Sequence, residues 1–226
     1  LKNKNCIIFG SRSNFANGII RFLANAGVNL GIIDLKEKES KEKGYKIEDP
    51  DVIHIKFDNT DKKDYEEAVE KIKESLGSID FLICSYYPEE LERDSRIEEL
   101  SMDKWDEIFR KWIDSYFLIT RTALPYLKES KVGQIIYITS LTGYTGEGEG
   151  EGELICDGSL YECGCSSGIT GMLKSMSRDI IPMGIGVNGI ALNTRSEDEL
   201  ERVSATVALL LSGLLEYSCG EIIRLY

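Results

Sequence analysis

The one histidine of this 226-residue chain, His54, lies in the alternating run Val52-Ile53-His54-Ile55-Lys56. That is mid-strand, a poor station for the base of a nucleophilic serine, so hydrolase triads are set aside. The six cysteines (6, 84, 156, 163, 165 and 219) show no zinc-finger or ribbon spacing. Cys163-Gly164-Cys165 with Cys156 nearby reads either as a soft-metal site short of a fourth ligand or, more plainly, as reduced thiols of a cytosolic protein. The spacing does offer a place for a nucleotide. Phe9-Gly10-Ser11-Arg12-Ser13-Asn14-Phe15-Ala16 joins a strand to a helix through a glycine turn, which can cradle a pyrophosphate on the helix N-terminus. Asp34 closes the second strand, where a carboxylate can take a ribose diol; this favours NAD over NADP. Its alternative is a strand-end carboxylate bonded to backbone. Asp58, after the third strand, is placed to receive an adenine amino group.

These residues need a scaffold, and the hydropathy pattern supplies one. Short apolar runs at 6–10, 29–34, 52–57, 79–85, 134–140, 186–192 and 221–225 read as strands. Helical-period segments at 16–26, 61–76, 101–125, 166–181 and 197–212 separate most of them, and 36–43 reads as a short charged helix or loop. In the helix from Ser101 the inward row is Trp105, Ile108, Phe109, Trp112, Tyr116 and Ile119. Alternating strands and helices with right-handed crossovers predict a doubly wound α/β fold, a Rossmann-like parallel sheet of about seven strands flanked by helices, in one domain over 1–226. Ile135-Ile136-Tyr137-Ile138 is apolar on both faces, as a sheet covered twice requires.

Composition narrows the function classes. With 42% hydrophobic residues and only 4 prolines, a largely disordered chain is excluded. A formal charge of −12 argues against a nucleic-acid partner, which needs clustered Lys and Arg. No apolar run approaches the roughly 18 residues of a membrane span. Leu1-Lys2-Asn3-Lys4 carries no signal-peptide pattern, so the expected location is cytoplasmic. The repeat Gly146-Glu147-Gly148-Glu149-Gly150-Glu151-Gly152-Glu153 reads as a solvated acidic loop rather than a cation site.

Several segments together resemble the short-chain dehydrogenase/reductase family over nearly the whole chain. They are the glycine turn, Asp58-Asn59-Thr60-Asp61, Asp80-Phe81-Leu82-Ile83, Trp105-Asp106 and Leu124-Pro125-Tyr126. Gly133-Gln134-Ile135-Ile136-Tyr137-Ile138-Thr139-Ser140 and Gly184-Ile185-Gly186-Val187-Asn188 complete the set. The resemblance implies hydride exchange between a nicotinamide and a carbonyl or alcohol. It implies that Ser140 polarises the carbonyl, and that a Tyr with a Lys four residues later moves the proton.

The departures from the pattern point elsewhere. Matching the family's Gly-x-x-x-Gly-x-Gly from Gly10 puts Asn14 and Ala16 at the second and third glycine positions. Cys84-Ser85-Tyr86-Tyr87 replaces Asn-Asn-Ala-Gly, so two rings stand where small residues leave room for the cofactor; they read as plugs, or as loop or interface aromatics. Trp112 replaces the family's helix Asn, and Leu192-Asn193 replaces Pro-Gly. The register set by Gly171 and Arg178-Asp179 places Glu162 at Tyr and Ser166 at Lys. Sliding by one residue recovers Tyr161 but puts Cys165 at Lys. Neither register supplies the cation that lowers a phenol pKa towards working pH. Lys174 lies three turns from Glu162, too far at about 1.5 Å per residue. Tyr161 is then either a catalytic phenol without support or a helix-entry aromatic, and Ser140 either a leftover or a structural hydroxyl.

The expected reading is a non-catalytic member with no cofactor bound, or NAD if any. It resembles the inactive partner subunits of hetero-oligomeric hydroxyacyl-CoA dehydrogenases of the benzylsuccinate type. The partner would be a homologous active subunit in a hetero-oligomer, a tetramer in the family's manner, which itself binds the acyl-CoA substrate. The alternative is an active NAD-dependent oxidoreductase using Tyr161 or Glu162 with Ser140. The resemblance also implies a substrate lid after Asn193; a lost lid and a lid missing from this stretch of sequence both fit the abrupt junction at Leu192-Asn193-Thr194-Arg195-Ser196.

Overall fold

In the computed structural model, residues 1–36, 52–57, 61–88, 97–145, 160–192, 200–215 and 218–225 are described. The first apolar run forms β1 (Asn5–Phe9), followed by α1 (Asn14–Asn25) and β2 (Asn29–Leu35). β3 (Ile53–Phe57), α2 (Lys62–Leu76) and β4 (Phe81–Cys84) come next. α3 (Met102–Phe109), a π-turn (Arg110–Asp114) and α4 (Ser115–Leu127) lead to β5 (Gln134–Ser140). The chain continues through α5 (Thr142–Thr145), α6 (Leu160–Ile180), β6 (Gly186–Leu192), α7 (Leu200–Leu211) and β7 (Ile222–Arg224).

The strands form one seven-stranded sheet in the order β3-β2-β1-β4-β5-β6-β7, and every pairing is parallel. The sequence expectation of a doubly wound α/β sheet holds. Period-2 alternation divides the core in two. Ile7, Phe9, Ile33 and Leu35 pack with residues of α2, α4 and α6, whereas Cys6, Ile8 and Ile32 pack with residues of α1 and α7. Strand order reverses between β1 and β4, so the crevice beyond their C-terminal ends is where such sheets take ligands.

Three element boundaries differ from expectation. The helix from Ser101 is interrupted by the π-turn and runs past Pro125 to Leu127. Pro125 has no N–H to donate to the Arg121 carbonyl, so the helix forfeits one backbone bond there, while Lys128 N–H still bonds to the Leu124 carbonyl. α6 begins at Leu160 rather than at 166, because packing overrides the weak helix propensity of Gly164 and Ser166. The short helix α5 was not anticipated. Of the expected inward row, Ile108, Trp112, Tyr116 and Ile119 are buried, and Trp105 and Phe109 half-buried against the same core. Asp58, Cys156, the acidic repeat and the junction after Leu192 lie outside the described residues.

Candidate functional site

The glycine turn at the end of β1 forms as its sequence requires. Gly10 has φ +90° and donates its N–H to the Ile33 carbonyl. A Cβ on Gly10 would stand 2.3 Å from Tyr86 N and Cα, so the residue must be glycine on both counts. The loop after β4 packs directly on this turn. Ser85 N–H donates to the Phe9 carbonyl and its hydroxyl to the Gly10 carbonyl at 2.6 Å, and the Tyr86 ring lies 5.6 Å from that of Phe9. At the start of α1, Ser13 is the N-cap and accepts from Ala16 N–H at 3.2 Å. Asn14 is exposed at the first helical position, and Ala16 is buried.

Asp34 sits on the second strand beside this turn and is 2% exposed. Its Oδ1 accepts from Ser11 N–H at 2.7 Å, and its Oδ2 accepts from the Ser11 hydroxyl at 2.6 Å. His54 Nε2 lies 2.7 Å from the same Oδ2. Burial alone would push the Asp34 carboxyl up. The bonds from His54 and from the Ser11 hydroxyl and N–H, with the charge His54 can carry, outweigh it and hold the carboxyl below its usual value. The carboxylate bonded to backbone that the sequence left as an alternative is therefore present, with two side-chain donors added. His54 was missed as its partner. The signal lies in the register, which pairs Ile32 with His54 and so brings Asp34, two residues on and on the same face, beside it.

The other end of the crevice lies between β4, β5 and α6. Tyr116 on α4 directs its buried hydroxyl at three carbonyls, Ile138 at 2.9 Å, Cys84 at 3.1 Å and Tyr86 at 3.2 Å, and so ties the ends of β4 and β5 together. Burial pushes its phenol well above the ordinary value, which suits a structural hydroxyl. Trp112 stands in the π-turn, buried, with Tyr87 edge-on at 4.9 Å. Tyr86 is buried and Tyr87 half-buried, so both rings are part of the packing.

Ser140 closes β5 and is 1% exposed. Its Oγ accepts from the Thr142 hydroxyl at 2.9 Å and from Thr142 N–H at 3.2 Å. Tyr161 is fully buried on α6 with its ring 5.8 Å from Trp105, in the core that α6 shares with α4. Glu162 is buried on the same turn. Ser166, one turn on, is fully buried, and its Oγ finds no hydrogen-bond partner among the described residues. Gly143 of α5 closes over it, since a Cβ on Gly143 would lie 2.7 Å from Ser166 Cβ and 2.8 Å from Ser167 N. Ser167 Oγ fastens the contact by donating to the Gly143 carbonyl at 2.7 Å. The lysines of α6 reduce to Lys174, which is exposed.

A dinucleotide laid across this crevice meets mismatches at both ends. The carboxylate expected to take a ribose diol is bonded within the protein, Trp112 packs on Tyr87, and among the described residues α6 carries no lysine one turn beyond Tyr161 or Glu162. These residues do not fit the group in the family's manner. Elsewhere, a groove of about 380 Å³ lies at the opposite end of the sheet between Lys131, Gln134, Ile181, Gly186 and Leu211, away from all of them. Among the described residues no cluster of three or more His, Cys, Asp or Glu could hold a metal, and burial pushes the Cys165 thiol up to about 12. No described helix is long and apolar enough to cross a membrane.

Comparison with known proteins assigns the scaffold. The chain is 24% identical to a 3-oxoacyl-acyl-carrier-protein reductase of Thermotoga maritima, over 84% of this chain and 74% of that protein. It is 30% identical to the uncharacterized oxidoreductase YhdF of Bacillus subtilis, over 84% of this chain and 63% of that one. Among solved structures, the Cj0485 dehydrogenase superposes with a TM-score of 0.79 at 21% identity, covering 99% of this chain and 92% of its own. A short-chain dehydrogenase/reductase from Brucella melitensis gives 0.78 at 21% identity, covering 100% and 95%. At such identities the structures speak for the fold alone. The family model described as short chain dehydrogenase matches residues 4–204, and the chain belongs to that family.

Proposed function

We propose that this chain is a non-catalytic member of the family, a subunit that pairs with an active paralogous NAD-dependent dehydrogenase and stabilises it or shapes its substrate entrance. Members of the family generally bind NAD(P). One observation carries the reading: in neither register of α6 does an amine stand at the lysine position, which is Ser166, buried beneath Gly143, if Glu162 stands at the tyrosine, or the buried Cys165 if Tyr161 does. A phenol with an ordinary pKa near 10 is a poor base at neutral pH without a neighbouring cation, and a glutamate side chain cannot supply one. The Ser140 hydroxyl accepts twice from Thr142, which fixes its oxygen against α5 and leaves its own proton to donate.

The surface of the long helices supports a partner. Phe117 on α4 is 47% exposed, and Ile113, Leu118, Leu124 and Met172 are half-buried on the same pair of helices. A homologous subunit in a tetramer could cover such side chains, with the acyl thioester held by the active partner; the curated relative from Thermotoga maritima is named for 3-oxoacyl reduction. That name also favours a second reading, an active oxidoreductase with altered residues. Co-expression with a related dehydrogenase that carries the full Tyr and Lys motif separates them. The proposal expects one complex containing both chains, and a homomeric preparation that turns substrate over by itself would overturn it.

A further inference from the structure

We propose that Ser11 and His54 act as an internal stand-in for a ribose diol, closing the adenosine end of the crevice by occupying the carboxylate of Asp34. The inference concerns nucleotide binding, not hydride chemistry, and does not depend on whether the chain is catalytic. An ionised carboxylate has about four lone-pair sites and only accepts. Three donors take three of them here at 2.6–2.7 Å, two from Ser11 and one from His54, and leave one on Oδ1. Because the acceptor is an anion, Nε2 of His54 must carry the proton in either charge state of the ring. A vicinal diol needs two donors on that same pair of oxygens, so it competes directly with the protein's own.

The geometry shows where the closure would give. Ser11 is held in the turn by its backbone as well as its hydroxyl, and is fully buried. His54 comes from β3, the edge strand of the sheet, and its side chain is 18% exposed, while the carboxylate it holds is 2% exposed. Of the three bonds, the one from the edge strand is therefore the one whose donor is partly exposed, and the one most open to exchange. A lowered Asp34 pKa is consistent with donors on both of its oxygens. Were the cluster only a brace between strands, removing one donor would loosen the edge and leave nucleotide affinity where it was.

The test is a calorimetric titration of the full chain with ADP and with 2′-deoxy-ADP, which lacks the diol. In His54→Ala, ADP affinity should rise by about tenfold or more over the parent, and the gain should be absent for 2′-deoxy-ADP. His54→Gln, which keeps a donor on the strand, should behave as the parent does. Ser11→Ala removes the hydroxyl but keeps the N–H, and should give a smaller gain; it carries the test if His54→Ala fails to fold. The inference is overturned if the folded variants bind ADP no more tightly than the parent, if both nucleotides gain equally, or if the parent already binds ADP as tightly as His54→Ala.

Discussion

The two ends of the crevice have departed from the family pattern in different ways. At the β1–β2 end the features expected to meet a nucleotide keep their places: Gly10 makes its turn at φ +90°, α1 starts just beyond it, and Asp34 lies one residue before the end of its strand. They are engaged with Ser11, His54 and Tyr86. At the β5–α6 end Ser140 remains but no lysine stands one turn beyond Tyr161 or Glu162, and Gly143 packs against Ser166 and Trp112 against Tyr87. Hydrogen bonds can be released by removing a donor. A packed helix contact cannot be reopened by restoring one side chain. The first end should therefore be recoverable by single substitutions and the second should not.

The strongest way to break that comparison is to rebuild the second end. Glu162→Tyr with Ser166→Lys should fail to give hydride transfer. It should also destabilise the fold by at least about 3 kcal/mol, since an ammonium would be buried where α5 lies on α6. Urea unfolding gives the loss as a shift in midpoint, and a folded double variant with reductase activity would erase the distinction. Gly10→Ala tests the first end at its most constrained atom. Positive φ and the approach of the Tyr86 backbone together should cost about 2–4 kcal/mol, measured the same way.

Asp34→Asn addresses the bonds themselves and should cost about 1.5–3 kcal/mol at neutral pH, because charge-assisted bonds to a buried group are lost. The folded-state pKa of Asp34 is lowered, so the stability it contributes is complete above the ordinary carboxylate value of about 3.9 and is lost as pH falls through the lower folded value. The gap between parent and Asp34→Asn should accordingly narrow in acid; a gap that stays constant to low pH contradicts the arrangement. The smallest effect is expected at Ser166→Ala. Removing a buried hydroxyl without a partner should leave stability unchanged or raise it by about 1 kcal/mol, about 2–4 °C in Tm for a chain of this size.

The same contrast governs what could be read from sequence. Strand positions were legible because runs such as Ile135-Ile136-Tyr137-Ile138 are apolar on both faces, and a sheet covered twice allows few alternatives. That neither Ser166 nor Cys165 supplies an amine was legible by counting along α6, though counting left both registers open. The bonds of Asp34 were not, because they depend on which strand lies beside β2 and in what register, and His54 was judged by its place on its own strand. The closure of Ser166 was hidden for a similar reason. It rests on a short helix, Thr142–Thr145, whose one glycine gives no periodicity to recognise. The π-turn at Trp112 is likewise invisible to a 3.6-residue pattern, which it interrupts only once.

The account stands most directly on nicotinamide absorbance followed with the chain purified free of any relative, given NADH and a 3-oxoacyl thioester. No oxidation of NADH above the protein-free rate is predicted, with turnover returning only when an active paralogue is added. Steady turnover by the isolated chain, abolished by Ser140→Ala or Glu162→Ala, would contradict it.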